Sequence, residues 1–243
     1  MKVIKLDRVN STNTWVTENA RQLPHPSLVW CEEQTAGRGQ RGNYWESTPG
    51  LNITASLFLK LHNFPAHKQF LISEWFSLLI IEFLRKHEIE AKVKWPNDIY
   101  VGDKKICGIL AEHVVLGSNL DQTILGFGIN VNQTVFFSDA PNPVSMSQLT
   151  GEKYVIENLI QSLAHDLESG IKYLQAPDHV TTHFDFIMNL WRNNGEWYRF
   201  NDLKAGEEII AGVDGVNYDG TLILKTPDNQ RRSYAFKEVE FIL

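Results

Sequence analysis

The chain predicts an α+β fold with a small β-barrel at its C-terminal end. Three observations carry this. Apolar or alternating strand-like stretches recur up to Val131, with turn residues between them. A long helical stripe runs through Ile156, Leu159, Ile160, Leu163, Leu167, Ile171 and Leu174, wide enough to cover a sheet. From Asn193 the pattern shortens to brief alternating stretches at Ile209-Ile210, 222–224, 234–236 and 239–243, separated by Asp214-Gly215 and Asp219-Gly220 turns. The expected division is a larger domain over residues 1–193 and a barrel over residues 194–243.

In order, residues 3–9 read as a strand leading to Ser11, an N-cap residue type, and a helix to about Gln22. Residues 28–33 form an apolar strand that enters a glycine- and arginine-rich loop, Gly37-Arg38-Gly39-Gln40-Arg41-Gly42. A partly alternating strand follows over 51–59, then a helix over 67–87 with Leu71, Trp75, Leu78, Leu79 and Ile81 on one face. Strands are expected over 91–95, 98–101, 105–115 and 123–131, with Gly102-Asp103 as a hairpin turn. The Asn-, Pro- and Ser-containing run over 137–148 reads as surface loop. Helices are expected over 154–174 and 180–191.

Composition bounds the function. With 243 residues and 43% hydrophobic residues, there is material for one sizeable core. A formal charge of −6 argues against a protein that holds nucleic acid mainly by neutralising phosphates. Cys31 and Cys107 both sit in apolar runs and read as reduced buried thiols. The most apolar stretch, 71–84, is interrupted by Ser73, Glu74, Ser77 and Glu82 and falls short of the roughly 18 apolar residues of a membrane span. With no signal-peptide layout at the start, a soluble, cytoplasmic protein with no membrane partner is expected.

The loop at Gly37 matches G-x-G-x-x-G in form. A dinucleotide fold requires a helix straight after it, whereas Asn43-Tyr44-Trp45-Glu46-Ser47-Thr48-Pro49-Gly50 follows. No phosphate-binding G-x-x-x-x-G-K-[ST] occurs. What is left is a pliable loop whose glycines permit close approach and positive φ, and whose guanidiniums suit phosphate and carboxylate oxygens. Trp45 offers a flat face for a base. Lys94-Trp95-Pro96-Asn97-Asp98 reads, taken alone, as a turn with Trp95 in the core. Lys105 enters an apolar strand beside Ile106, Ile109 and Leu110, where a lysine is costly without an anionic partner. Ser11-Thr12-Asn13 fits either a helix cap or a cluster facing a polar heterocycle. Asn130, between Gly128-Ile129 and Val131, wants a specific partner. His179 and His183 have helical metal-binding spacing, but no third ligand or accompanying glutamate is apparent, and no protein metal site is expected.

In combination these motifs are far more specific. Ser11-Thr12-Asn13, Gln34-Thr35-Ala36 running into the arginine loop with Trp45, Lys94 to Asp98, Lys105 ahead of Gly108-Ile109-Leu110-Ala111-Glu112, and Gly128-Ile129-Asn130-Val131-Asn132 follow one another in an order that closely resembles biotin–protein ligases. The resemblance spans residues 1 to about 193, and the C-terminal segment is similar to that family's SH3-like barrel.

The resemblance implies the fold shared with class II aminoacyl-tRNA synthetases, a mixed, mostly antiparallel sheet with helices. It also implies a two-step reaction: biotin carboxylate attacks the α-phosphate of ATP to give biotinyl-5′-AMP, and a lysine of a biotin carboxyl carrier protein then attacks the mixed anhydride. Ser11, Thr12, Asn13 and Gln34 would line the biotin end. Gly37, Arg38, Gly39, Gln40 and Lys105 would hold the carboxylate and adenylate phosphate, with Arg38, Lys105 and Asp98 as the catalytic set. Arg41, Trp45, Asn97 and Asn130 would face the nucleotide, and Mg²⁺ would accompany ATP. Some members carry an N-terminal DNA-binding domain; this chain starts at the first strand, and no nucleic-acid binding is expected. A homodimer is compatible with the resemblance. Gln40 sits where other members can have arginine. Two alternatives stay open: a lipoate or octanoate ligase or transferase of the same fold, and a non-catalytic biotin- or adenylate-binding module.

Overall fold

The computed structural model describes residues 1–40, 43–137, 142–174 and 179–242. Seven strands form the main sheet: β1 (Lys2–Val9), β2 (Ser27–Gln34), β3 (Ile53–Pro65), β4 (Lys92–Lys94), β5 (Asp98–Val101), β6 (Lys104–Leu116) and β7 (Asn119–Ile129). Their order is β1-β2-β3-β7-β6-β5-β4. Only β1 and β2 are parallel, joined by the crossover helix α1 (Thr12–Asn19). Every other neighbouring pair is antiparallel, which gives the mixed, mostly antiparallel sheet expected.

Period-2 alternation sends the side chains of each strand to two faces. Leu28, Trp30, Leu57 and Leu59 face a large core that includes Ile72 and Phe76 of α2 (Phe70–Arg85) and Ile160 and Leu163 of α4 (Ile156–Leu174). Val29, Phe58 and Ile124 face the other way, under Val16, Ala20 and Leu23. The α1 segment covers only one end of that second face. Two residues on from the Phe58–Ile124 pair Ser56 lies opposite Gly126, four residues on Thr54 lies opposite Gly128, and Gly108 is the other neighbour of Gly128. Bulk gives way there to a trough.

The chain from Tyr198 forms a second sheet: β8 (Tyr198–Asp202), β9 (Glu207–Val216), β10 (Leu222–Lys225), β11 (Arg231–Tyr234) and β12 (Val239–Phe241), ordered β11-β10-β9-β8-β12. In a flat sheet β11 and β8 would be three spacings, about 14 Å, apart. Yet Tyr234 Oη donates to Asp202 Oδ2 at 2.7 Å, and Arg232 reaches the same oxygen at 3.3 Å. The sheet is therefore curled back on itself. Among the described residues β11 and β12 share no ladder, so the expected barrel takes the form of a strongly curled five-stranded sheet.

Two elements depart from the expected pattern. The end of the region read as loop is taken up by the start of α3 (Met146–Thr150), opened by a capping box in which Ser145 and Gln148 exchange side chain-to-backbone hydrogen bonds. Strand β8 is also additional to the stretches expected. Helix α5 (His179–Met188) packs on α2 through a buried pair, His183 Nδ1 and Glu74 Oε1 at 2.7 Å, and the His183 ring stacks on Tyr218 at 4.1 Å. Burial pushes the Glu74 carboxyl up to about 7, with the His183 bond opposing the rise. No helix among the described residues is long and apolar enough to cross a membrane.

Candidate active site

The β5–β6 hairpin brings Lys105 back beside Asp98, and Lys105 Nζ meets Asp98 Oδ1 at 2.7 Å. Their side chains are 20% and 21% exposed. The anionic partner that a lysine entering an apolar strand requires is thus supplied from the neighbouring strand.

Residues 94–98 divide their side chains between two tasks. Lys94 Nζ lies 4.9 Å from the ring centre of Tyr100, 5.6 Å from Phe241 and 5.9 Å from Trp191, and donates to Tyr100 Oη at 3.2 Å. Burial pulls its ammonium below the usual lysine range. Trp95 Nε1 donates to the Gly220 carbonyl at 2.9 Å. These two residues fasten the curled sheet to the main one. Asn97 and Asp98 line the cavity, and Asn97 is steadied by donating to the Ile109 carbonyl at 2.5 Å.

Arg38 forms a two-pronged pair with Glu112 of β6, at 3.1 and 2.8 Å. Glu112 Oε2 also accepts from Asn13 Nδ2 at 2.7 Å. Ser56 Oγ links Asn13 Oδ1 at 2.5 Å to Thr12 Oγ1 at 2.7 Å. The Thr12 N–H, which has no partner within its helix, donates to Gln34 Oε1 at 2.8 Å. One chain of hydrogen bonds therefore runs from the arginine to Gln34. Ser11 holds the N-cap position but its hydroxyl makes no cap bond, and it lines the cavity instead.

The trough receives two side chains. A Cβ built on Gly126 would lie 2.2 Å from Asn13 Oδ1, and one on Gly128 would lie 2.1 Å from the Trp45 ring. Lys105 Nζ sits 5.7 Å from the Trp45 ring centre. Trp45 Nε1 and Gln40 Oε1 are both buried without a hydrogen-bond partner among the described residues, an arrangement that costs about 1–3 kcal/mol per group unless a ligand or water satisfies it. Neither Gly37 nor Gly39 takes positive φ, and Gly42, the third glycine of the loop, lies outside the described residues. Gly37 needs space: a Cβ there would lie 2.6 Å from the Trp45 carbonyl oxygen.

Most of the residues expected at a site do line one cavity: Ser11, Thr12, Asn13, Gln34, Arg38, Gly39, Gln40, Trp45, Asn97, Asp98 and Lys105. Gly37 lies just behind it, in a neighbouring groove with Arg38 and Glu112. Asn130 is outside the lining: its amide donates to the Val144 carbonyl at 3.1 Å and pins the end of β7 to the next segment. Arg41 lies outside the described residues. Ser56 and Gly126 belong to the site without having been singled out, and Glu112, quoted only within a motif and given no role, is the partner of Arg38. Glycines inside apolar strands were the available signal for the trough; nothing local marks Glu112 as the partner of Arg38.

The model of the biotin/lipoate A/B protein ligase family matches residues 5–130, just over half of the chain. The chain belongs to this family. The bifunctional ligase/repressor BirA of Salmonella typhimurium is 35% identical over 92% of this chain and 69% of its own length. The biotin--[acetyl-CoA-carboxylase] ligase of Paracoccus denitrificans is 28% identical over 91% of this chain and 93% of its own length. Among solved structures, the biotin protein ligase from Aquifex aeolicus in complex with biotin and ATP shares the fold, with a TM-score of 0.79, 22% identity and coverage of 98% of this chain and 97% of that one.

Proposed function

We propose that this member of the family is an ATP-dependent biotin–protein ligase whose acceptor is a lysine on a biotin carboxyl carrier domain. The observation that carries this reading is the meeting of Arg38 and Lys105 at one cavity that is also lined by neutral donors and acceptors, Thr12, Asn13 and Gln34, with Ser56 bonded behind Thr12 and Asn13. A ureido ring offers two N–H donors and a carbonyl, which suits such a lining; a dithiolane ring would leave those polar groups unpaired. The name of the relative from Paracoccus denitrificans points the same way.

In the first step a biotin carboxylate oxygen bonds to the α-phosphorus of ATP as the bond to the bridging oxygen breaks and pyrophosphate leaves. Both partners are anions, and negative charge on the non-bridging oxygens grows in the transition state, so fixed cations aimed there lower the barrier. Lys105 and Arg38 supply them. Reaching the ligand costs Arg38 some of its bonding to Glu112, but three of the five N–H donors of a guanidinium stay available when two are held there. In the second step the carrier amine attacks the acyl carbon, the amide forms, AMP departs and the amine loses a proton. Asp98 is assigned to orienting that amine. Trp45 Nε1 and Gln40 Oε1 would gain partners from the bound adenylate.

Magnesium fits this site only as a companion of the nucleotide. Asp98 and Glu112 are both paired with cations, and no cluster of three or more His, Cys, Asp or Glu side chains that could hold a metal occurs among the described residues. An ion held by phosphate oxygens and waters needs no such cage. A formal charge of −6 disfavours duplex binding by phosphate neutralisation, so the repressor activity in the BirA names is not extended to this chain.

The test is incubation with ATP, Mg²⁺ and either biotin or lipoate, with mass spectrometry of the acyl-adenylate. Biotinyl-AMP is expected; activation of lipoate alone would overturn the reading. Arg38→Ala is expected to keep measurable biotin binding by calorimetry while losing most adenylate formation. Unchanged turnover in that variant would remove Arg38 from its role.

A further inference from the structure

Residues 46–52 leave the arginine loop for β3, residues 130–137 leave β7, and one buried side chain ties the two segments together. Gln133 is 1% exposed. Its Oε1 accepts from the Thr48 N–H at 2.9 Å and from Asn52 Nδ2 at 2.6 Å. Its Nε2 donates to Glu46 Oε1 and to the Val135 carbonyl, both at 2.9 Å. A glutamine side chain has two acceptor sites and two donors, so its whole capacity is used.

The orientation is fixed from outside. The Thr48 N–H can only donate, and Asn52 must turn its NH₂ toward Gln133 because its Oδ1 accepts from the Val131 N–H at 2.9 Å. Glu46 then takes the Phe137 N–H on both oxygens at 3.0 Å. A polar network satisfied at every member holds one arrangement and resists others.

Glu46 follows Trp45 in the chain, and Val131 follows Asn130. Gln133 itself is not part of the cavity lining. From this geometry we infer that Gln133 is a positioning residue for the nucleotide end of the site, acting through Glu46, Thr48 and Asn52 to set Trp45 against the end of β7. The inference rests on the reading that ATP is the substrate. The biotin end hangs on a separate chain of hydrogen bonds through Asn13, Ser56 and Gln34, so the two substrates should respond differently.

Gln133→Leu keeps the volume and removes all four bonds. Its KM for ATP is expected to rise about tenfold, while biotin affinity by calorimetry stays within about twofold. A second pair of variants covers failure of that one to fold. Glu46 is half-buried, so Glu46→Ala trims the rim; it should also raise the KM for ATP. Glu46→Gln keeps the Oε1 acceptor and should restore it. An unchanged KM for ATP in the variants that fold, equal losses for biotin and ATP, or a Glu46→Gln as impaired as Glu46→Ala would each overturn the inference. A parent enzyme that makes no adenylate would instead overturn the ATP reading.

Discussion

Lys105→Ala is expected to slow biotinyl-AMP formation by about 10²–10³-fold, the usual cost of removing one fixed donor from a developing oxyanion. The size follows from charge. Unit charges about 4 Å apart interact by roughly 4 kcal/mol at an effective dielectric of about 20, and about 1.4 kcal/mol is a decade in rate. Lys105 is one-fifth exposed and held at 2.7 Å by Asp98, so it is already in place and needs little reorganisation. The same substitution leaves Asp98 without its cation, which is a structural cost of its own. Lys105→Ala combined with Asp98→Asn separates the two effects. The double variant should recover thermal stability and still fail at adenylation. Recovery of adenylation with the charge pair gone would assign Lys105 to folding alone.

Gly126→Ala is expected to cut kcat/KM for biotin by about 10²-fold, the scale of loss when a reacting group is displaced by about an ångström. The added Cβ would lie 2.2 Å from Asn13 Oδ1, 2.7 Å from its Cγ and 2.8 Å from its Nδ2. Asn13 is 2% exposed and is held by Ser56 on one side and Glu112 on the other, so it cannot retreat without breaking bonds at both ends. The strand itself is not offended, since alanine suits a strand interior at least as well as glycine. Breaking those buried bonds lowers the melting temperature somewhat, so the signature is a loss of biotin use in enzyme that is still fully folded at the assay temperature. Because both act on one contact, adding Asn13→Ala to Gly126→Ala should cost little more than either alone. A Gly126→Ala enzyme with parental KM for biotin would mean that Asn13 does not set the biotin end.

Local chemistry explains what was legible beforehand. The Gly102-Asp103 turn predicted the hairpin and the pairing of Tyr100 with Lys105 next to it; the bulge beyond, which sets Asp98 opposite Gly108, left no mark in the sequence. The long stripe of α4 was equally plain from its period. What could not be read depends on register between distant strands. Gly126 and Gly128 weaken a strand when taken singly; only their alignment with Ser56, Thr54 and Gly108 makes a trough of them. Arg38 and Glu112 are 74 positions apart, and only the tertiary fold brings the loop against Glu112 of β6. Strand β8, Tyr-Arg-Phe-Asn-Asp, is short and half polar, and its pairing with β9 and β12 defines it rather than its own propensity. Helix α3 did carry a local signal, Ser145 followed by Gln148 at capping-box spacing, beneath the Asn- and Pro-rich composition around it.

The most direct measurement is transfer of biotin to a purified biotin carboxyl carrier domain, followed by intact-mass and peptide mapping with ATP present and absent. One biotinyl group on a single lysine, formed only with ATP and lost with Lys105→Ala, is the predicted result. A carrier left unmodified by the parent enzyme under conditions where ATP and biotin are both in excess would contradict the assignment.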